Sequence, residues 1–185
     1  SNAHGLRFPG LALAWSVRGA PSVPAEMRDF FEGILALNRQ RNRTIIETLV
    51  LVLEIWDAQG IESVLLKGAA SINSDLYPDP AIRILGDIDI LVQSDRAQEA
   101  ARLLVKNGFE EIAADHGSEE HHHLPPLRHP GSGICIEIHK QVLAEKYASF
   151  LPSEAVWQRA QKCAVGGYAT HHLAPAERYI HAMIH

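Results

Sequence analysis

The stretch Gly86-Asp87-Ile88-Asp89-Ile90-Leu91-Val92 decides the fold. Residues in a β-strand alternate between its two faces, so the two isoleucines and the valine predict one apolar face. Asp87 and Asp89 then share the opposite face, where two carboxylates repel each other. A divalent cation such as Mg²⁺ would relieve that repulsion, because Mg²⁺ takes oxygen ligands. Taken alone, the pair also fits an edge strand whose polar face is in water.

A second apolar strand, predicted over residues 133–139, carries a third carboxylate. Ile134, Ile136 and Ile138 take one face, and Cys135, Glu137 and His139 take the other. Glu137 beside the aspartate pair would complete a site for two metal ions, as in-line phosphoryl transfer uses. A strand glutamate on a solvated face is the alternative.

A strand-to-helix turn precedes the aspartates. Residues 62–67 predict a short buried strand, and Gly68 ends it before a helix-compatible segment at 69–76. Backbone N–H groups at such a turn bind anions, and Lys67 would add a point charge for phosphate. Arg83, just ahead of the carboxylates, either pairs with one of them or reaches a substrate phosphate. An ordinary turn with a solvated lysine is the alternative.

Helical patterns surround these strands. The longest runs from Ala25 to about Gln59, ends at Gly60, and contains a basic segment, 39–43, at which it could divide in two. A helix over about 95–106 begins at Ser94 or Asp95. The other predicted elements are an arm or short helix at 4–20, a strand at 109–113, helices at 144–150, from 152 or 153 to about 162 and from 175 onward, a Gly166-Gly167 turn and a strand at 168–173.

Histidines gather in a polar loop at 116–130. Three adjacent histidines, His121 to His123, cannot all face one ion in regular structure, and no cysteine or spaced carboxylate completes a zinc pattern. The loop is therefore either solvated or supplies a substrate contact. The candidates for substrate contact are His122 in this loop and, at the end of the strand over 133–139, His139 and Lys140.

Composition bounds the class of protein. The chain has 185 residues, 46% of them hydrophobic, and a formal net charge of −5. This acidic balance argues against a general nucleic-acid binder, which needs basic residues to neutralise phosphates. Two cysteines form no disulfide framework, which favours a reducing, cytoplasmic setting. No apolar run reaches membrane-spanning length, so no membrane association is expected.

The chain divides by pattern into four segments. Ser1-Asn2-Ala3 is read as a tag remnant. Residues 4–60 form an N-terminal arm and helical region, 61–145 the core, and 146–185 a C-terminal helical region. The last helical pattern is still running at His185, so the natural protein is expected to continue.

Together these motifs resemble the nucleotidyltransferase fold of the DNA polymerase beta superfamily. The run Leu65-Leu66-Lys67-Gly68-Ala69-Ala70, then Leu76-Tyr77-Pro78-Asp79-Pro80, Arg83 and residues 86–92, is most similar to the family called "uncharacterised nucleotidyltransferase". The resemblance covers roughly residues 61–142. It implies an α+β fold in which a small mixed β-sheet is flanked by helices, with N- and C-terminal helical extensions.

The resemblance also implies a reaction. A nucleotidyl group would pass from an NTP, expected to be ATP, to a small molecule such as an aminoglycoside-like sugar or to a protein side chain, with polynucleotide acceptors disfavoured. Asp87, Asp89 and Glu137 would hold Mg²⁺ or Mn²⁺, with Glu137 also activating the acceptor hydroxyl. The nucleotide contacts it implies are Lys67, Gly68, Ser71 and Arg83.

Two other readings stay open. A non-catalytic, antitoxin-like module on the same fold would sense nucleotide or bind a helical partner domain or a second copy of itself. It would hold NTP without releasing pyrophosphate. A metal-binding protein built on the histidine clusters would bind Zn²⁺ or Ni²⁺ independently of Asp87 and Asp89.

Overall fold

The computed structural model describes residues 9–71, 77–112 and 122–184. The tag remnant, the end of the predicted 69–76 segment, Ala113 and His121 lie outside these ranges. The described residues form two compact units, one from 9–44 and 77–85, the other from 45–71, 86–112 and 122–184. In these three ranges no helix is both long and apolar enough to cross a membrane.

The first unit packs two helices around a small apolar core. It contains α1 (Pro9–Val17), the first part of α2 (Ala25–Asp57) and a 3₁₀ helix, Pro80–Ile82. Its buried residues include Leu11, Ala14, Leu35 and Ala81. The predicted arm or short helix at 4–20 is therefore helical from Pro9 to Val17.

Polar residues of α2 fix the loop around the 3₁₀ helix. The Asn38 amide nitrogen donates to the carbonyl oxygens of Ala81 and Arg83, at 2.7 and 2.9 Å. Asn42 likewise donates to Pro80 and Arg83. The helix runs unbroken through the basic segment, from Ala25 to Asp57. The predicted division of α2 at 39–43 is wrong.

The second unit is built on one mixed sheet. The strands, in the order β3-β4-β5-β2-β1-β7-β6, pair antiparallel except for β2 with β5 and β1 with β7, which are parallel. The strands are β1 (Ser63–Leu65), β2 (Ile88–Val92), β3 (Glu110–Glu111), β4 (Leu127–Arg128), β5 (Cys135–His139), β6 (Gln161–Val165) and β7 (Tyr168–His172).

Helices cover this sheet. The second half of α2 buries Ile45, Leu49, Val52 and Trp56 along one face, the spacing expected of an amphipathic helix. The Trp56 indole N–H donates to the Ala100 carbonyl oxygen at 3.1 Å, which joins α2 to α3. The other elements are α3 (Ala97–Lys106), α4 (Ser153–Arg159), α5 (Pro175–Ile184) and 3₁₀ helices at Ala69–Ser71 and Glu145–Phe150.

Several predicted element boundaries differ in the structure. The helix predicted to reach about Lys162 ends at Arg159, because Ala160 is extended and β6 begins at Gln161. The sequence predicted β7 but not β6, because β6 is mostly exposed and has no apolar alternation. α3 has no side-chain cap from Ser94 or Asp95. The loop predicted at 116–130 contains the short strand β4.

The β6–β7 hairpin turns at Gly166 and Gly167, both with positive φ. A Cβ on Gly166 would collide with the Val50 side chain of α2, whereas one on Gly167 would meet nothing within 4 Å. Gly167→Ala should therefore cost only backbone strain, about 1 kcal/mol, and Gly166→Ala about 2–3 kcal/mol. Urea unfolding of both variants measures the difference.

Val50→Ala supplies the control. In the Gly166→Ala background it should recover part of the lost unfolding free energy by removing the collision. Equal losses at Gly166 and Gly167 would show that the contact with Val50 is unimportant.

Candidate metal centre

The predicted Asp-x-Asp strand is the centre of the sheet. β2 lies between β5 and β1, and all five of its residues are buried. The alternative of an edge strand with a wet polar face is therefore wrong. Asp89, only 1% exposed, is a charged residue inside a fully covered strand. Such a group needs charged or hydrogen-bonding partners.

Strand register brings the second carboxylate to Asp89. β2 and β5 are parallel, and Asp89 pairs in register with Glu137. Paired residues of neighbouring strands project to the same face of a sheet, so both carboxylates face the same way. His139, two residues further along β5, shares that face. The apolar alternation of both strands, which buries their isoleucines on the other face, specifies this register.

Asp89 has two cationic or donor partners. Its Oδ1 accepts from the Lys67 ammonium at 2.6 Å and from His139 Nε2 at 2.9 Å. Glu137 Oε2 lies 3.9 Å from Lys67 Nζ and 3.6 Å from His139 Nε2. The Asp89 side chain is buried, while those of Glu137 and Lys67 are about one quarter exposed, at 25% and 28%. The cluster therefore opens to solvent on the Glu137 and Lys67 side.

Their surroundings shift the pKa values of the three carboxyl groups in different directions. Burial raises the pKa of Asp89, but the hydrogen bond from His139 and the charge of Lys67 outweigh it and bring that pKa well below its usual value. The nearby His139 ring, with Nε2 3.6 Å from Oε2, also lowers the pKa of Glu137. For Asp87, burial and then the charges of Asp89 and Glu137 raise the pKa. Of the three carboxyl groups, Asp87 is therefore the one whose ionised form is disfavoured.

His139 responds in the opposite sense. Burial lowers its pKa, but the hydrogen bond to Asp89 and the nearby Glu137 carboxylate overcome burial and raise that pKa above the ordinary value. The ring is completely buried. The prediction that His139 touches substrate stays untested, and its bond to Asp89 favours a role in supporting that carboxylate.

The turn after β1 holds Lys67 in an unusual conformation. The sequence draws attention to Gly68, but the residue with left-handed backbone is Lys67, at φ 43°. Non-glycine residues adopt this region uncommonly. Hydrogen bonds hold the turn on both sides, from Leu66 N–H to the Asp89 carbonyl and from Ala70 N–H to the Leu66 carbonyl.

The other predicted nucleotide and substrate contacts have mixed placements. The Ser71 hydroxyl points at the Lys67 carbonyl oxygen, 3.4 Å away, within the same turn as Gly68. His122 packs against His139 with ring centroids 5.1 Å apart, and its carbonyl accepts from the Lys140 N–H. Arg83 belongs to the first unit, where its guanidinium donates to the Tyr77 hydroxyl. The roles of these residues stay predictions.

The donor atoms suit one divalent cation. The candidate ligand atoms of Asp89, Glu137 and His139 all lie within 4.8 Å of one another. Carboxylate oxygens suit Mg²⁺ and Mn²⁺, and an imidazole nitrogen suits Mn²⁺ better than Mg²⁺. Sequence reasoning did not include His139 in this group, although its spacing of two from Glu137 places both on one strand face. Its Nε2 donates to Asp89 Oδ1 and would have to give up that hydrogen bond before it ligated an ion. Asp87 is outside this group of ligand atoms.

Comparisons with known proteins agree with the motifs. A family model described as "Uncharacterised nucleotidyltransferase" matches residues 10–185. No curated protein sequence matches the chain. A solved structure from Thermotoga maritima, provisionally named a nucleotidyltransferase, superposes with a TM-score of 0.53 at 14% identity, over 74% of this chain and 81% of that chain. This likeness shows a shared fold.

A second solved structure is more distant. It is an antigenic nucleotidyltransferase-like protein from Paracoccidioides brasiliensis, with a TM-score of 0.46 at 18% identity. The match covers 71% of this chain and 61% of that chain.

Opposite effects on stability are expected at the two aspartates. Asp87→Asn removes a carboxylate that its neighbours disfavour, so in metal-free buffer at pH 7.5 it should raise Tm by about 1–3 °C. Asp89→Asn removes the charge that holds Lys67 and His139, so it should lower the free energy of unfolding by about 2–4 kcal/mol. Thermal unfolding followed by circular dichroism measures both.

The two effects also depend on pH differently. The gain from Asp87→Asn should be full above the raised pKa of Asp87 and disappear below the ordinary value near 3.8. The contribution of Asp89 is present above the ordinary value and is lost as pH falls through its lowered pKa. A loss of stability in Asp87→Asn at pH 7.5 would contradict the conclusion that the ionised Asp87 side chain lowers stability.

Proposed function

The chain belongs to the uncharacterised nucleotidyltransferase family, and on that premise we propose that it is a Mg²⁺- or Mn²⁺-dependent transferase that moves a nucleotidyl group from an NTP to an acceptor hydroxyl. The proposal includes a DNA polymerase beta-like arrangement of the sheet and a cytoplasmic setting. The observation that carries it is the parallel register of Asp89 with Glu137 on one face of central strands.

The carboxylates present suit a catalytic cation. Asp89 and Glu137 would hold it from adjacent strands, and Asp87 would approach from the residue just before β2. The raised pKa of Asp87 supports this, since burial and then the charges of Asp89 and Glu137 disfavour its ionised form, which a cation would favour. When bound, such an ion stabilises the negative charge of the phosphates in phosphoryl transfer.

The chain's own side chains divide the remaining work. The acceptor oxygen forms a bond to the α-phosphorus, the bond from that phosphorus to the bridging oxygen breaks, and pyrophosphate leaves. Glu137 takes the proton of the acceptor hydroxyl, because it is ionised and partly exposed. His139 orients Asp89 through its hydrogen bond. Lys67, with Gly68 and Ser71 in the same turn, contacts the phosphates.

The net charge of the chain bears on the class of acceptor. A net charge of −5 disfavours a long polyanionic substrate, so a small hydroxyl compound or a protein side chain is the proposed class. ATP is the proposed donor.

The first test is nucleotide binding by thermal shift, with each NTP and Mg²⁺ or Mn²⁺. Wild type should gain about 2.7 kcal/mol at a hundredfold excess over Kd, which is a Tm rise of roughly 5–10 °C. Glu137→Gln and Asp89→Asn should lose this gain. Glu62→Gln, which removes an exposed carboxylate outside the cluster, is the matched control. Equal shifts in all four proteins would place the nucleotide elsewhere.

The second test separates catalysis from binding. Wild type is incubated with α-labelled ATP and pools of amino sugars or proteins, and labelled product and pyrophosphate are measured. Glu137→Gln should reduce transfer by about 10²–10³-fold through loss of the base and a metal ligand. Metal-dependent binding with no transfer to any pool would favour the antitoxin-like sensing module.

A further inference from the structure

We propose that Lys67 is an internal counter-cation of the carboxylate cluster. Its ammonium keeps out a metal ion that arrives without nucleotide, so metal binding depends on the nucleotide. This inference rests on the proposed function. The juxtaposition that carries it is Lys67 Nζ at 2.6 Å from Asp89 Oδ1 and 3.9 Å from Glu137 Oε2. The ammonium lies between the two carboxylates that would share an ion.

An ion and the ammonium compete for the same oxygen. Mg²⁺ or Mn²⁺ approaches a carboxylate oxygen to about 2.1 Å, closer than the 2.6 Å of the ammonium contact. Two cations on one buried oxygen repel strongly, because a partly desolvated site screens charge poorly. The ammonium and the ion therefore exclude each other at Asp89 Oδ1. The described cluster therefore holds one cation at this oxygen at a time.

The charges around the cluster decide which cation prevails. The carboxylates of Asp89 and Glu137 belong to it, and Lys67 already neutralises one of them, so a divalent ion gains less attraction than it would from the carboxylates alone. His139 Nε2 also donates to Asp89 Oδ1, which further weakens the attraction of that oxygen for an ion. An NTP changes this balance because its phosphates offer the ammonium a new anionic partner. Metal and nucleotide then enter together.

Lys67 is also able to leave without damage to the core. Its side chain is 28% exposed, on the open side of the cluster. Asp89 keeps its hydrogen bond from His139 Nε2 when the ammonium moves away, so the buried carboxylate is not left without a donor. The left-handed backbone at Lys67 sets the start of the side chain at the end of β1, directly beside Asp89.

The test measures binding of Mn²⁺ alone, from the paramagnetic resonance signal of the free ion, with no nucleotide present. Lys67→Met removes the charge at similar length, and Lys67→Asn does so with a residue that tolerates left-handed backbone. Both should bind Mn²⁺ at least tenfold more tightly than wild type. Lys106→Met, an exposed lysine of α3, and the charge-conserving Lys67→Arg should match wild type.

A second readout uses nucleotide. With Mn²⁺ fixed, affinity for the α,β-methylene analogue of ATP should fall at least tenfold in Lys67→Met and Lys67→Asn, because the phosphate partner is gone. Thermal unfolding should show a larger Mn²⁺-induced Tm rise in these variants than in wild type. An uncharged variant that folds only with Mn²⁺ supports the proposal, and one that stays unfolded with Mn²⁺ overturns it.

The outcomes distinguish a failure of the Lys67 proposal from a failure of the proposed function. If the uncharged variants bind Mn²⁺ no more tightly than wild type, while wild type binds the analogue in a metal-dependent way, Lys67 is not the counter-cation and the proposed function stands. If wild type binds neither Mn²⁺ nor the analogue under any condition, the proposed function fails and this inference fails with it.

Discussion

The structure depends on one buried charge. Asp89 lies in the central strand of a seven-stranded sheet, with both faces covered and almost no exposure. An ionised carboxylate in such a place is costly unless partners surround it. Lys67 from the turn after β1 and His139 from the end of β5 are those partners, so two neighbouring strands and one strained turn must be placed correctly around it.

The same arrangement explains why the site has unequal carboxyl groups. Asp89 has its hydrogen-bond partners and a lowered pKa, and Glu137 is ionised and partly open to solvent. The ionised form of Asp87 is disfavoured by burial and then by the charges of the other two. An ionised Asp87 beside two other carboxylates lowers stability. Its presence next to a built cluster is understandable if a cation or a substrate relieves the repulsion. Stability and the proposed chemistry are therefore opposed at this position.

Predictions from the sequence were best where a pattern has a single physical reading. The alternation in residues 88–92 and 135–139 predicted the two central strands and the face of Asp89 and Glu137. Predictions were poorer where the chain lacks a pattern. The exposed strand β6 was read in part as a helix, and the division of α2 was expected at its basic segment, 39–43. In the structure, Asn38 and Asn42 of this continuous helix contact a distant loop. Their partners, the carbonyls of residues 80–83, are more than thirty-five residues away.

The sequence by itself determined which residues could share a face and which family's motifs they form, because periodicity and motif order are local properties of the chain. Tertiary structure decided that Asp89 pairs with Glu137 in parallel register, that His139 is buried against both, and that Lys67 rather than Gly68 holds the left-handed turn. These depend on which strands become neighbours and on how much water remains between them. Only packing of distant segments decides that, since the cost of a charge depends on its surroundings.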